Sequence, residues 1–595
     1  MMLNRRDLIT LAGATSLAGL ASPTLAAHPA HHPGVPAPLA AFIADYMRAM
    51  NAPGLTLGLA DRQGTLATAA FGHADLAAKL PVSTAHLFEI GSITKSFTAL
   101  VVLQLQEQGK LDVQRPISSY LPWLPIEADY GEILIHHLLC HSSGLPDEGS
   151  LFPGDTGARV RQGFKPGSAF HYSNLAYEIL GCLIEKLSGR CWPDAVSQRI
   201  LKPLQMNDTA AAISSVSRTR IVQSYVPLHD DRPYPRHGAL APAGPMSTDS
   251  AAGSIASTPL DMTRYMHMLL NRGAVPGARI ISEESFKSLA TGHVKAEELG
   301  PGMTYGYGVM LDQLDGHTRL RHTGGMVSFM SAIQLDLDAG LGAFASINAQ
   351  LGYRPNPVAQ YALRLLRAAD ERAPLPKAPP PDEGAIVADP GGYAGTYTAI
   401  DGGRLEVAVN QGQLLLIADG KRLPLQHLEG DSFLAQDARF ELFPLVFSRE
   451  TRGAGNAADG KPADGKPADG KPAVGEGPEA APPPVVELRH GPDWYAHTRY
   501  RGDRSVPDST ALEPFVGTYY SESMWTNIIR VFICHGRLCA DGTMFLDAIG
   551  NGLFRDASNP ANPDLIEFKH IIDGHARLLA MGNEVWQRIN LGAQS

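Results

Sequence analysis

The stretch Phe88–Phe97 constrains this chain most, because an extended segment there runs into the start of a helix. Ser92 and Lys95 are three residues apart, so on a helix they share one face, one turn from each other. A serine hydroxyl becomes a useful nucleophile when a nearby base takes its proton, and a buried lysine can be that base. Free N–H groups in a first helical turn also favour an oxyanion. The stretch therefore predicts a nucleophile with its base.

Two further motifs follow this serine along the chain. By itself an SxxK motif is weak, since a serine helix cap followed by a surface lysine has the same spacing. This is the only SxxK of the sequence, however, and it is followed by the only YxN, at 172–174, and then by HTGG at 322–325. The other HxG, at His32, precedes the serine. Three elements in this order are far more specific than any one alone.

The three motifs resemble those of the penicillin-recognising serine hydrolases, in the branch of class C β-lactamases, DD-carboxypeptidases, D-aminopeptidases and related esterases. The segment Leu138–Pro146 is similar to the family's LLTHTSGLP, and Ala252–Met262 is similar to its AGGLxSTxxDM. The resemblance covers about residues 35–370. It implies an α+β catalytic domain of the β-lactamase/transpeptidase type.

The resemblance also implies a role for each motif residue. Acyl transfer needs a nucleophile, a base, an oxyanion pocket and a proton donor for the leaving group. Ser92 is expected to form an acyl-enzyme, while Lys95 and Tyr172 share the base and acid work. Asn174 is expected to hydrogen-bond the substrate amide and the lysine. The oxyanion hole is expected from the backbone N–H groups of Ser92 and Gly325.

The HTGG motif should line the substrate site, and it departs from the family at its first residue. β-Lactamases and carboxypeptidases usually have lysine where His322 stands, and that positive charge helps to hold the substrate carboxylate. Histidine is largely neutral at pH 7. Thr323 is expected to contact substrate, and Gly324 and Gly325 to let it approach the strand backbone.

This departure favours a peptidase, such as an aminopeptidase, or an amidase or esterase that does not depend on a free carboxylate beside the scissile bond. A β-lactamase or DD-carboxypeptidase is the alternative. A binding protein or sensor that acylates without turnover stays open, as does a strand-edge His322 without any catalytic part.

The order of hydrophobic periods fits an antiparallel sheet flanked by helices, plus an all-helical lobe. An amphipathic helix is predicted over 37–50, and a hairpin over 54–72. A helix over 174–187 places Tyr172 on the loop before its start. The remaining strands and the closing helix are predicted at 305–311, 319–322, 328–337, 342–348 and 358–368.

The rest of the chain has a different composition. A Pro-rich linker is predicted at 371–389. Beyond it PGGYAGTY, at 390–397, recurs as EPFVGTY at 513–519. This repeat predicts two related small β-barrels, which resemble the lipocalin-like C-terminal domains of some D-aminopeptidase relatives. Their predicted bounds are 390–503 and 511–592.

Two segments are not expected to join a folded core. Residues 451–484 contain a repeated DGKPA and a run of prolines, which predict a disordered insert in the first barrel. Residues 1–27 carry a twin-arginine pattern and end in small residues, which predict a signal peptide cleaved near Ala26 and Ala27 and export to the periplasm. No other stretch is long and apolar enough to span a bilayer, so no stable membrane span is expected after processing.

Composition restricts the partners. The net charge of −10 is spread along the chain, which argues against nucleic acid. The chain has no CxxC or HExxH motif, so no metal and no cofactor are expected.

His136, His137 and His141 lie in the LLTHTSG-like segment and are interpreted as packing residues. The expected partner is a small peptide, amide or ester substrate, with a homodimer left open.

The cysteine count is odd and too low for a disulfide scaffold. Cys534 and Cys539 flank a turn, and Cys182 and Cys191 are close in sequence. Neither pairing is favoured.

Overall fold

The computed structural model describes residues 34–149, 151, 160–229, 231–350, 354–381, 387, 389–428, 430–450, 483–523, 525–582 and 584–589. The predicted signal peptide lies outside these residues, as does the predicted insert except for its last two positions, 483 and 484.

A nine-stranded antiparallel sheet forms the centre of the first domain. The hairpin predicted over 54–72 is present at one side, and the strands predicted from 319 onward form the middle. In spatial order the strands are Val294–Lys295, Thr304–Tyr305, Met310–Leu314, His317–Met326, Phe329–Asp336, Leu341–Ile347, Gly54–Asp61, Gly64–Asp75 and Leu80–Pro81.

The central strands are covered on both faces, so their residues are buried along the whole length rather than in alternation. Ala343 and Ala345 face a core shared with the helices Ala37–Met50 and Asn356–Asp370. Phe344, which lies between them, faces the opposite core. The sheet therefore separates two hydrophobic layers, as the fold class predicted from the sequence requires.

The second layer holds the nucleophile helix, Thr94–Glu107, and most other helices of this domain. The other α-helices of the first domain, apart from the two named above, are Ile135–Leu139, Asn174–Ser188, Trp192–Val196, Ser215–Arg218, Pro259–Leu270 and Glu283–Leu289, with a π-helical turn at Ser197–Leu201. Among the described residues, no helix has both the length and the apolar character needed to cross a membrane.

Two details of the predicted order are wrong. The lobe is not all-helical, because it also contains short strand pairs such as Tyr225–Pro227 with Leu240–Pro242. The strand predicted over 305–311 is interrupted at Gly308, which has φ +69°. A Cβ there would lie 2.7 Å from the carbonyl oxygen of Lys95, so the break lets this loop pack on the nucleophile helix.

Two closed eight-stranded barrels follow the first domain. The strands of the first are Gly395–Ala399, Arg404–Asn410, Gln413–Ala418, Lys421–His427, Ser432–Ala435, Leu445–Arg449, Val485–His490 and Asp493–His497. Those of the second are Gly517–Tyr520, Ile528–Cys534, Arg537–Ala540, Met544–Gly550, Leu553–Asp556, Leu565–Ile572, His575–Met581 and Glu584–Ile589.

The repeated sequence has the same local structure in both barrels. In the first, the Tyr397 hydroxyl donates to the Tyr393 carbonyl at 2.7 Å. In the second, the Tyr519 hydroxyl donates to the Phe515 carbonyl at 2.8 Å. In each case the tyrosine ties the first strand to the 3₁₀ turn that precedes it. The repeat therefore marks the start of each barrel.

All five cysteines are free thiols. Cys534 pairs with Arg537 across its hairpin, and Cys539 pairs with Phe532, so the two cysteines are not directly opposite each other.

Both barrels contact the first domain. Arg232 donates to Glu441 of the first barrel at 2.8 Å. Arg530 of the second barrel lies 2.5 Å from the Asp231 carboxylate. Asp231 and Arg232 of the first domain thus contact both barrels.

Candidate active site

Ser92 lies in a 3₁₀ turn, Gly91–Ile93, that continues directly into the nucleophile helix. Gly91 adopts φ +52°, a conformation that glycine adopts without a steric penalty. A Cβ on Gly91 would lie 2.6 Å from the carbonyl oxygen of Gly325. The nucleophile turn is therefore pressed against the strand His317–Met326, which carries the HTGG motif.

Lys95 is fully buried and points at the serine. Its Nζ lies 3.1 Å from Ser92 Oγ, 2.6 Å from Asn174 Oδ1 and 3.1 Å from the Ala252 carbonyl oxygen. An ammonium can donate to all three oxygens. A neutral amine can donate to Asn174 and Ala252 and direct its lone pair at the serine hydroxyl. This arrangement can therefore remove the hydroxyl proton of Ser92.

Tyr172 approaches the same lysine from the loop before the helix Asn174–Ser188. Lys95 Nζ lies 4.7 Å from the centre of the Tyr172 ring. The next residue, Ser173, caps the helix by accepting a hydrogen bond from the Ala176 N–H at 3.0 Å. That cap fixes where the loop ends, so it holds both Tyr172 and Asn174 beside the lysine.

These side chains meet in one cleft of about 780 Å³. Of the residues predicted for the site, Ser92, Tyr172 and Asn174 line this cleft together with three of the four HTGG residues, and Lys95 lies beneath the serine. The cleft also has several methionines on its walls and Trp525, which comes from the second barrel.

His322 is buried and has both ring nitrogens occupied. Its Nε2 lies 2.8 Å from the Tyr305 hydroxyl, and its Nδ1 lies 2.6 Å from the Thr323 carbonyl oxygen. Burial raises the pKa of Tyr305 well above its usual value, so that hydroxyl stays protonated and donates to Nε2. The Nδ1 then carries the hydrogen and donates to the carbonyl.

The charge of His322 follows from this environment. Burial first, and then the nearby Lys95, lower the pKa of His322 to about 3. His322 is therefore neutral at physiological pH, which agrees with the prediction made from the residue type, and it offers no free donor to a substrate carboxylate.

The two glycines of the motif have different roles, which corrects the prediction that both open the strand to substrate. A Cβ on Gly324 would lie 1.8 Å from the Ile90 carbonyl oxygen, so Gly324 allows the strand to pack on the nucleophile segment. Gly325 lines the cleft, and a Cβ there would meet nothing closer than 3.5 Å.

A cation that the motif analysis missed stands beside the HTGG strand. Arg354 lines the cleft, and its guanidinium donates to Thr323 Oγ1 at 2.8 Å. Burial lowers the pKa of Arg354. The residue lies outside all three motifs, so only the folded chain reveals it.

The opposite side of the cleft carries carboxylates. Asp147 Oδ1 accepts a hydrogen bond from the Asn174 backbone N–H at 2.8 Å, and Glu178 accepts one from the Ser250 hydroxyl. Burial, followed by the neighbouring Asp147, raises the pKa of Glu148 to about 7. The cleft therefore has carboxyl groups next to Asn174, of which Glu148 takes up a proton more readily than usual, and a guanidinium next to Thr323.

The three histidines of the LLTHTSG-like segment make hydrogen bonds and ring contacts, as predicted. His136 Nδ1 lies 2.7 Å from the Tyr307 hydroxyl. His137 Nδ1 accepts from the Leu134 N–H, and His141 Nδ1 accepts from the Ser173 N–H, both at 3.1 Å. His141 thus supports the loop that carries Tyr172.

In the part of the chain that the structure describes, one group of potential metal ligands has its ligand atoms within 4.8 Å of one another: His317, Asp336 and Asp338. Asp336 is already paired with His317 at 3.0 Å and with Arg367 at 3.1 Å. The group is accounted for as an ion-pair network.

Known proteins are similar in sequence to part of this chain. The chain is 28% identical over 337 residues to penicillin-binding protein 4 of Amycolatopsis lactamdurans, which covers 53% of this chain and 85% of that protein. It is 29% identical over 282 residues to esterase EstB of Burkholderia gladioli, which covers 40% of this chain and 69% of that protein.

Among solved structures, the octameric penicillin-binding protein homologue of Pyrococcus abyssi matches with a TM-score of 0.51 and 25% identity, over 69% of this chain and 96% of that one. The beta-lactamase family model matches residues 39–368, which is more than half of the chain and includes all three motifs. This protein therefore belongs to the beta-lactamase family of serine hydrolases.

Proposed function

We propose that this protein cleaves amide or ester bonds of small substrates through an acyl-enzyme on Ser92, and that it is a peptidase, such as an aminopeptidase or a hydrolase of peptides with D-residues, or an esterase. The observation that carries the proposal is the 3.1 Å approach of Lys95 Nζ to Ser92 Oγ in a cleft that also contains Tyr172.

The reaction runs in two halves. Ser92 Oγ attacks the substrate carbonyl carbon while its proton passes to Lys95 or Tyr172. The negative charge of the tetrahedral intermediate falls on the former carbonyl oxygen, for which the backbone N–H groups of Ser92 and Gly325 are the proposed donors. The amine or alcohol then leaves with the transferred proton. Water repeats the sequence on the ester that remains and releases the acid.

The charges around the cleft support a peptide or ester substrate. His322 is neutral, so the position that usually holds a carboxylate-binding lysine contributes no charge. Asp147, Glu148 and Glu178 line the same cleft as the serine, and a positively charged amino group bound there would favour the ionised form of their carboxyl groups. These features favour an aminopeptidase over a carboxypeptidase.

Arg354 favours the alternative, a β-lactamase or DD-carboxypeptidase. Its guanidinium stands next to Thr323, where it can hold a carboxylate in place of the missing lysine. The two readings therefore differ in whether a carboxylate on the substrate raises or lowers the rate of acylation.

A panel of D- and L-aminoacyl p-nitroanilides, p-nitrophenyl esters and nitrocefin separates these activities, with Ser92→Ala as the control for background hydrolysis. Turnover of anilides or esters supports the proposal. Turnover of nitrocefin alone supports the alternative. A wild-type protein that keeps a stable acyl group from every substrate is a sensor rather than a hydrolase.

The setting of this activity is also a proposal. The twin-arginine pattern at 1–27 supports export to the periplasm. Substrates there are small peptides, amides or esters rather than nucleic acid, and self-association as a homodimer is testable by light scattering.

A further inference from the structure

The second barrel reaches the active site through the loop that precedes its strand Leu565–Ile572. Pro563 of this loop packs on Gly163 of the first domain, where a Cβ would lie 2.7 Å from the proline Cβ. The next residue, Asp564, is itself held by a hydrogen bond from its N–H to Asn562 Oδ1 at 2.9 Å. The loop therefore presents one carboxylate to the first domain in a fixed position.

The two oxygens of Asp564 contact two separate segments of the active site. Oδ1 accepts a hydrogen bond from the Asp147 backbone N–H at 2.8 Å. Oδ2 lies 3.1 Å from His171 Nε2, and the His171 side chain is only 11% exposed. Asp564 thus contacts Asp147 in one segment and His171, which immediately precedes Tyr172, in the other.

Both segments lead directly to catalytic groups. The Asp147 side chain accepts the Asn174 N–H at 2.8 Å, and its carbonyl accepts the Leu175 N–H at 2.9 Å, so Asp147 fixes the start of the helix. Asn174 in turn accepts a hydrogen bond from Lys95 at 2.6 Å. His171 adjoins Tyr172 in the chain. Two residues, Asp147 and Asn174, therefore connect Asp564 to the lysine.

We propose that Asp564 of the second barrel is a positioning residue of the active site, which holds the segments bearing Tyr172 and Asn174 at the distance from Lys95 that acylation needs. The inference rests on the proposed hydrolase function. It gives the second barrel a part in positioning the catalytic groups, because the acceptor of the Asp147 N–H and a carboxylate beside His171 both come from the barrel.

The test uses full-length protein and a fluorophosphonate, which reports acylation of Ser92 without knowledge of the substrate. Asp564→Ala removes both contacts. Asp564→Asn keeps an oxygen for the Asp147 N–H and a side chain of the same size beside His171. Arg530→Gln is the matched control, because it removes a barrel contact with Asp231 that is not part of the cleft.

We expect Asp564→Ala to lower the second-order labelling rate about tenfold or more, since the catalytic groups lose their alignment. Asp564→Asn should stay within about threefold of wild type, and Arg530→Gln within about twofold. On an ester that the wild type hydrolyses, the loss in Asp564→Ala should fall on kcat, with KM changed by less than about threefold.

A second variant keeps the test informative if Asp564→Ala folds poorly. His171→Leu removes the other partner from within the first domain and should lower the labelling rate on its own. Where Asp564→Ala folds, the double variant should lose no more than the larger single loss, because the two side chains act as a unit. Additive losses would overturn the proposed pair.

The outcomes separate this inference from the proposed function. A wild type that is not labelled at Ser92 overturns both. A labelled wild type with Asp564→Ala at the same rate overturns the inference alone. Equal losses in Asp564→Ala and Arg530→Gln would also overturn it, because barrel docking in general would then explain the effect.

Discussion

The buried, neutral state of His322 predicts a specific loss of stability in acid. In the unfolded chain this histidine has the ordinary pKa of 6.5, whereas in the folded protein the pKa is about 3. Between these values the unfolded chain binds one more proton than the folded protein, so the free energy of unfolding falls as the pH falls. At 1.36 kcal/mol per pKa unit, the cost at pH 5 is about 2 kcal/mol.

The matched variant is His322→Gln. Its amide oxygen can accept from Tyr305 and its N–H can donate to the Thr323 carbonyl, yet it does not titrate. The difference between wild type and variant isolates His322 from other buried histidines with lowered pKa values, such as His136 and His490. Urea unfolding read by pulsed hydrogen exchange, on peptides from the strand Phe329–Asp336, reports the first domain without the barrels.

We expect wild type to lose about 2 kcal/mol more than His322→Gln when the pH is lowered from 7 to 5. A difference below about 0.5 kcal/mol would refute the reasoning, because His322 would then bind its proton equally well in the folded and unfolded chains. The fold would then not hold His322 in its neutral form. The hydrogen bonds of this histidine would not explain why the first position of the HTGG motif carries no positive charge.

Three further variants test other parts of the site. In urea unfolding, Gly324→Ala should lower the free energy of unfolding by about 3 kcal/mol, since its Cβ would lie 1.8 Å from the Ile90 carbonyl oxygen. The control, Gly325→Ala, should have a free energy of unfolding within about 1 kcal/mol of wild type. Trp525→Ala should raise KM for aromatic esters about threefold to tenfold, because an aromatic wall of the cleft is lost, and an unchanged KM would contradict its place in the substrate site. Arg354→Gln should lower the rate of acylation by nitrocefin about tenfold or more, because nitrocefin has a carboxylate that the guanidinium can bind. The rate of p-nitrophenyl acetate hydrolysis should change less than about twofold. Equal effects on both rates would contradict carboxylate binding by Arg354.

The residues of the three motifs, which were predicted to share one site, meet in or directly beneath one cleft. Ser92 and Lys95 are one helical turn apart, so a local pattern was enough to bring them together. The YxN and HTGG motifs were recognisable only by resemblance, since nothing local indicates that residues 172 and 322 lie beside residue 92. The fold class followed in the same way, from the resemblance and from the hydrophobic periods.

Other features depend on contacts that no local pattern encodes. His322 was predicted to be neutral from its residue type, yet its fixed tautomer comes from Tyr305, a neighbour on a different strand. Arg354 and Trp525 line the cleft from outside the motifs, and Asp564 contacts Asp147, which also lines it. Trp525 and Asp564 come from the second barrel. Gly324 looked like an opening for substrate, but close packing against Ile90 gives it a structural role.

Mass spectrometry of the protein after fluorophosphonate treatment, in wild type and in Lys95→Met, tests the central claim most directly. We expect a single adduct on Ser92 and a labelling rate at least about 100-fold lower in Lys95→Met, because the serine then lacks its base. An adduct on a different residue, or equal rates in the two proteins, would contradict it.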